Sequence, residues 1–303
     1  MLKAYILMIF VAIFYSGNIL VGKAINDLPP VTIAFFRLLL AFAFVAPFAI
    51  RQAWHSRHVF LSMKGPFLLM TLSGVTFFNT FIYGSLQFTT ATNVAVLETV
   101  IPALTVVLGA LLINERLPKI AIMGTILSIA SAIYVVLGSQ LFTMGTMQWN
   151  PGDFIMAGAI VCWSVYSIMV KKYMSFFKPF AALVVMTGVS VIVLLPVMLV
   201  EWAIIGVPSF SGGSEHWLGL VYLGLFPSLI ALIFYNEAVG ILGASRASVM
   251  LNLLPVFTMI GAFFWLGESI TIHHIAGTAG VIFGVWLTTK KANINKIRDS
   301  EQV

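Results

Sequence analysis

Ten stretches of about twenty mostly apolar residues divide this chain, at about 4–25, 30–50, 66–88, 91–113, 119–138, 152–172, 179–200, 217–239, 244–266 and 271–289. At a rise of ~1.5 Å per residue, a run of that length crosses the hydrocarbon of a bilayer as one α-helix. Hydrophobic residues make up 60% of the 303 and charged residues only 9%, outside the range of soluble domains. The expected fold is therefore all-α and integral to the membrane, with ten transmembrane helices. The first run continues past Asn18 to Ile25 without a small-residue cleavage pattern, so it reads as the first helix and not as a signal peptide.

The basic residues give the orientation. With the N-terminus in the cytoplasm, fourteen of the sixteen Lys and Arg fall inside, leaving Lys23 outside and Arg37 within a span. The outer segments hold Asp27, Asp153, Glu201, Glu215 and Glu268. This asymmetry is what the positive-inside rule requires, and it puts both termini in the cytoplasm and the chain in the plasma membrane. The net charge of +6 follows from the same bias and from the basic tail at 290–303, and it calls for no nucleic-acid partner.

The chain also repeats itself. A shift of 149 carries Lys23 onto Lys172, Pro30 onto Pro179 and Pro47 onto Pro196; a shift of 153 carries Pro102 onto Pro255, Thr105 onto Thr258, Glu115 onto Glu268 and Gly124 onto Gly277. Residues 4–138 and 152–289 thus form two repeats of five spans each. Five is odd, so the second repeat enters the membrane from the opposite side. Inverted repeats let a site at their interface open alternately to either side.

Polar residues at helical spacing mark the candidate site. They are Ser16 and Asn18 in the first span, Thr76, Asn79, Thr80 and Tyr83 in the third, and Glu98, Pro102 and Thr105 in the fourth. The second repeat adds Trp163, Tyr166 and Ser167 in the sixth span and Ser248, Asn252 and Pro255 in the ninth. Polar faces in membrane helices must meet protein or water. Pro102 and Pro255 are matched kink or gate positions. The repeat mates of Asn18, Arg37, Asn79 and Glu98 are Ser167, Met186, Leu232 and Leu251, so the polar end of a substrate, or a coupling ion, is expected among first-repeat residues.

Glu98 is seven residues beyond Ala91 and Arg37 seven beyond Pro30, which puts both at about 10 Å along their helices. A lone charge near the centre of a span costs roughly 2.5–3.5 kcal/mol on insertion scales. Two readings follow. Either the two form a permanent structural pair, or the pair opens in transport and leaves Glu98 to take a proton or an ammonium while Arg37 holds a carboxylate. Glu115 and Glu268 are expected to cap the helix that follows each of them, and Trp54, Trp202, Trp217 and Trp286 to anchor span ends at the interface.

Two five-helix repeats, "FFRLLLAF" at 35–42, "LLINERL" at 111–117 and its echo "WLGESI" at 265–270 resemble the EamA-like branch of the drug/metabolite transporter superfamily, over about 4–289. That resemblance implies a ten-helix carrier of small polar metabolites, often an exporter of amino acids or related compounds, with a cavity between the repeats. Ser269 stands where the first copy has Arg116, a departure from the loop motif.

Other classes fit less well. A channel has no need of duplicated halves that rock. An intramembrane enzyme needs convergent acid, base, nucleophile or metal groups, and here no second mid-span carboxylate or mid-span histidine accompanies Glu98. The five histidines have no ligand spacing and the single Cys162 forms no CxxC, so neither a metal nor a cofactor is expected. The expected partners are a small-molecule substrate and lipids, with protons as a candidate coupling ion.

Overall fold

The computed structural model describes residues 2–113, 119–137, 150–209, 213–242 and 250–290, and among them there is helix and turn but no strand. The first and second spans are Leu2–Ala24 and Pro30–His55. The third is continuous over Lys64–Leu86 and the fourth runs as Ala91–Glu98 and Ile101–Ile113. Lys119–Leu137, Pro151–Tyr173 and Pro179–Ile205 are the fifth to seventh. The eighth covers Ser214–Leu225, Phe226–Ile230 and Ala231–Leu242, the ninth Leu251–Leu266, and the tenth Ile272–Lys290. Seven of these helices have the length and apolarity to cross a bilayer, and the fifth, ninth and tenth carry shorter apolar cores. The second and seventh helices outrun their apolar runs by five residues at the C-terminal end, because apolarity marks lipid contact and not the limit of backbone hydrogen bonding.

The packing maps onto itself when the repeats are exchanged. The first span lies against the eighth and ninth, and its mate the sixth against the third and fourth; the second pairs with its mate the seventh, and the fifth with its mate the tenth. Both mate pairs run antiparallel. Thr32 meets Glu201 while Gly188 approaches Phe42, and Val135, Ser131 and Ser128 meet Gly277, Gly280 and Gly284 in opposite order. The fifth and tenth backbones touch so closely that a Cβ on Gly284 would stand 2.6 Å from the Ser128 nitrogen and 2.7 Å from the Gly124 oxygen. Small residues of this kind permit the close helix approach on which packing in lipid depends.

Some helix irregularities are also paired, although the π-helical stretch Ala262–Leu266 of the ninth span has no counterpart in Ile101–Ile113. Pro102 has no N–H for the Glu98 carbonyl, and there the fourth span breaks at Thr99 and Val100, whose N–H groups reach back only three residues, to Val96 and Leu97. At the matching place the ninth span tightens to a 3-10 turn, Leu251–Leu253, before Pro255. The third and eighth spans each widen into a π-helical stretch, Thr71–Phe77 and Phe226–Ile230, around the mates Gly74 and Pro227. Such stretches arise where the regular ladder is interrupted, and they are frequent at functional sites.

Candidate functional site

Arg37 is the hub of a buried polar cluster. Its Nη1 donates to the Asn18 Oδ1 at 2.9 Å, to the Asn79 Oδ1 and to the Tyr83 hydroxyl at 2.6 Å, and its Nε to the Ser228 Oγ at 3.0 Å. The Tyr83 hydroxyl in turn donates to the Asn18 Oδ1 at 3.0 Å. The guanidinium also lies over the Tyr83 ring, 5.9 Å from its centroid. One cation thus joins the first, second, third and eighth spans. Three of its four partners are readable as polar faces in the sequence. Ser228 is not, because it sits beside Pro227 in the π-helical stretch, where the backbone no longer follows a 3.6-residue period.

Glu98 is not part of this cluster. Among the described residues it makes no salt bridge with Arg37, and its Oε2 is buried without a hydrogen-bond partner. Of the two readings of these charges, the permanent pair is therefore not what the structure contains. Equal depth along two helices placed the charges at one level but said nothing about azimuth, and the neutral acceptors on spans one, three and eight occupy the directions the guanidinium needs.

The interior of the bundle also holds an aromatic group. Tyr15 of the first span lies within electrostatic range of Arg37, Glu98, Tyr166 and Tyr235. Trp163 packs against Tyr166 at 5.0 Å between centroids and against Phe78 at 4.3 Å. Tyr166 presses on Gly74 so closely that any side chain there would displace the ring. Tyr15 was not among the sequence candidates, although it lies one helical turn from Asn18. Tyr235 was not either, because a lone aromatic in the apolar eighth run is indistinguishable from packing.

Other candidates are accounted for by helix packing. Ser167 bonds the Trp163 carbonyl, Thr80 that of Thr76 and Thr105 that of Ile101, all within their own helices. Ser16 bonds Thr258 and Thr76 bonds Ser190, each at 2.8 Å, stitching the first span to the ninth and the third to the seventh. Asn252 sits in the 3-10 turn ahead of Pro255. Ser248 and Glu115 lie outside the described residues.

A family model of EamA-like transporters matches residues 2–137 and again 150–290. The chain belongs to the EamA-like transporter family. An uncharacterised transporter of Bacillus subtilis, YyaM, is 22% identical over 99% of this chain and 98% of its own length, and one of Archaeoglobus fulgidus is 27% identical over 95% and 98%. A probable terminal-alkyne amino-acid exporter of Streptantibioticus cattleyicolor is 26% identical over 66% of this chain and 65% of its own. A solved crystal structure superimposes with a TM-score of 0.62 over 95% of this chain and 96% of that one, at 20% identity, which is a likeness of fold.

In this EamA-like transporter two carboxylates bridge the repeats at the end where the second and fourth spans begin. Glu201, at the end of the seventh span, accepts from the N–H groups of Val31 and Thr32 and from the Thr32 hydroxyl. Glu268, after the ninth, does the same to Ala91, Thr92 and the Thr92 hydroxyl. Each carboxylate thus caps a first-repeat helix from the second repeat, where the helix N-terminus is most positive. Capping was the expected role of Glu268, but the helix is the fourth and not the tenth that follows it. Chain order gave no hint, because the αL turn at Gly267 carries the carboxylate back across the interface. Trp202, partly buried against the core, adds to the same contact: its indole N–H donates to the Thr32 hydroxyl at 2.8 Å. At the same end Lys23 donates to the carbonyls of Leu86 and Thr89, and His216 meets Asp27 at 2.8 Å.

Proposed function

We propose that this transporter is an alternating-access carrier that exports small polar metabolites, amino acids or related compounds, across the plasma membrane. The observation behind the reading is the partnerless oxygen of Glu98, set at the break in the fourth span, which has a matching break in the ninth. A carboxylate in that position is costly until something binds it. A proton or a substrate ammonium is the fitting ligand. Arg37 keeps its charge among neutral acceptors and is the complementary group for a substrate carboxylate. One free acid and one cation beside an aromatic wall suit a zwitterion, and the name of the Streptantibioticus cattleyicolor relative is in keeping with that class. The test is counterflow in proteoliposomes: preloaded amino acid should drive saturable uptake of labelled amino acid, whereas flux that never saturates would make the protein a channel.

The inverted orientation has its own test. In a background without Cys162, cysteines at Ser56, Ser175 and Ser300 should react only from the cytoplasm and those at Asp27, Thr146 and Ser211 only from outside. One site labelled from the wrong face would overturn the topology.

In this reading the described conformer is closed to the outside, and the Glu201 and Glu268 caps must release for the outer path to open. Replacing both by Ala removes two caps worth roughly 1 kcal/mol each, enough to raise the outward-open population about tenfold or more. A reporter cysteine at Asn252 should then react correspondingly faster with an impermeant reagent added outside. An unchanged rate would show that the caps do not gate.

A further inference from the structure

The end opposite the two carboxylate caps is built by the same symmetry but lacks its anion. Exchange of the repeats carries Glu201 onto Gln52, and Val31 and Thr32 onto Phe180 and Ala181. At one end, then, the second span's N-terminus is capped by a carboxylate from the end of the seventh. At the other, the 27-residue seventh helix begins at Pro179 with no side-chain cap, and the position that would supply one is a neutral amide. Positive charge has gathered around the gap. A shallow open pocket of about 460 Å³ lies there, lined by Phe48, Arg51, Gln52, His55 and Lys178. Residues 48, 51, 52 and 55 fall on one stripe of the second helix, and Lys178 is the residue that precedes the first turn of the seventh. Among the described residues neither Arg51 nor Lys178 has a carboxylate partner. The His55 Nδ1 donates to the Arg51 carbonyl at 2.7 Å, which holds the ring against its own helix.

We infer that this pocket binds a phosphate group, and that the phosphate is carried by the headgroup of an anionic phospholipid. Uncapped helix N–H groups, a guanidinium and an ammonium are the donors a phosphate oxygen takes. Lipid is the source because the rim is built for the bilayer boundary. Phe48 is 84% exposed and stands one turn from Arg51 toward the middle of the span, and Phe180 and Phe176, close in sequence to Lys178, are exposed as well. An acyl chain descending from the bound headgroup would lie along these aromatics. With the N-terminus in the cytoplasm the pocket faces the inner leaflet, where anionic lipid meets basic pockets between helices. The site is independent of what the carrier moves.

The test uses the purified full chain titrated with short-chain phosphatidylglycerol, with phosphatidylcholine or with inorganic phosphate, read by native mass spectrometry and thermal melting. Phosphatidylglycerol should bind and raise the melting temperature, and phosphatidylcholine should not. Arg51→Gln with Lys178→Gln should weaken phosphatidylglycerol about tenfold or more, whereas Lys64→Gln with Lys119→Gln, two cations of the same face, should not. Gln52→Glu, which restores the carboxylate found at the other end, should weaken the lipid while raising the lipid-free melting temperature. Inorganic phosphate binding as tightly as phosphatidylglycerol, and lost in the same variants, would overturn the lipid as the source and leave the phosphate. Phosphatidylglycerol bound equally by wild type, the Arg51/Lys178 variant and Gln52→Glu would overturn the site.

Discussion

Glu98→Gln abolishes the response of transport to a pH gradient while the chain stays folded in the membrane: this is the expected result if Glu98 carries the coupling proton. Glutamine keeps the shape of the side chain, and because Oε2 has no partner the exchange breaks no hydrogen bond at that atom. What is lost is the capacity to take and release a proton. In liposomes that are more acidic outside, the wild type should drive substrate outward against inward protons. Glu98→Gln should ignore the gradient yet retain substrate-for-substrate exchange, since exchange requires no net proton movement. Gradient-driven transport at the wild-type rate in this variant would reduce Glu98 to a structural acid.

Arg37→Leu has the larger effect on stability. It removes the donor from Asn18, Asn79, Tyr83 and Ser228 together, leaving buried polar groups on three other helices without their common partner. Polar bonds between membrane helices average about 0.6 kcal/mol and reach about 1.7, so four of them amount to roughly 2–4 kcal/mol, seen as a fall in melting temperature. Double-mutant cycles then separate this hub from Glu98. Arg37 with Asn79 should couple by about 1 kcal/mol, whereas Arg37 with Glu98, which do not touch, should add within about 0.5 kcal/mol. Strong coupling of Arg37 with Glu98 in stability would restore the salt bridge that the structure lacks. The variant with Leu at both positions should be inserted but inactive, having lost the group for each end of a zwitterion.

Particular residues show where reading from sequence stopped. Asn18, Arg37, Asn79 and Tyr83 were each recognisable as costly polar groups inside apolar runs, and they do meet. Glu98 was recognisable for the same reason, but its supposed partner was not its partner. Depth along a helix is a one-dimensional quantity that residue counting supplies, whereas which way each side chain points around its axis depends on how ten helices rotate against one another. The Glu201 and Glu268 caps were hidden more deeply. Each joins residues about 170 positions apart across the repeat interface, and the donors are backbone N–H groups, which leave no trace in side-chain pattern.

The sequence by itself determined the solvent, the number of spans and their internal duplication. Apolar length and the placement of prolines are local properties, and burying backbone in lipid leaves helices as the way to satisfy them. The paired helix breaks were equally local, because a proline removes its hydrogen bond wherever the chain is packed. Only the tertiary structure decided which polar groups came together. It engaged the Arg37 Nε and Nη1 with four neutral acceptors, left one Glu98 oxygen with none, bridged one end with two carboxylates and left the symmetric position at the other as a basic pocket. Two repeats with one backbone plan can differ in this way because the plan constrains where helices lie, while each hydrogen bond depends on the particular side chain that the opposite repeat presents.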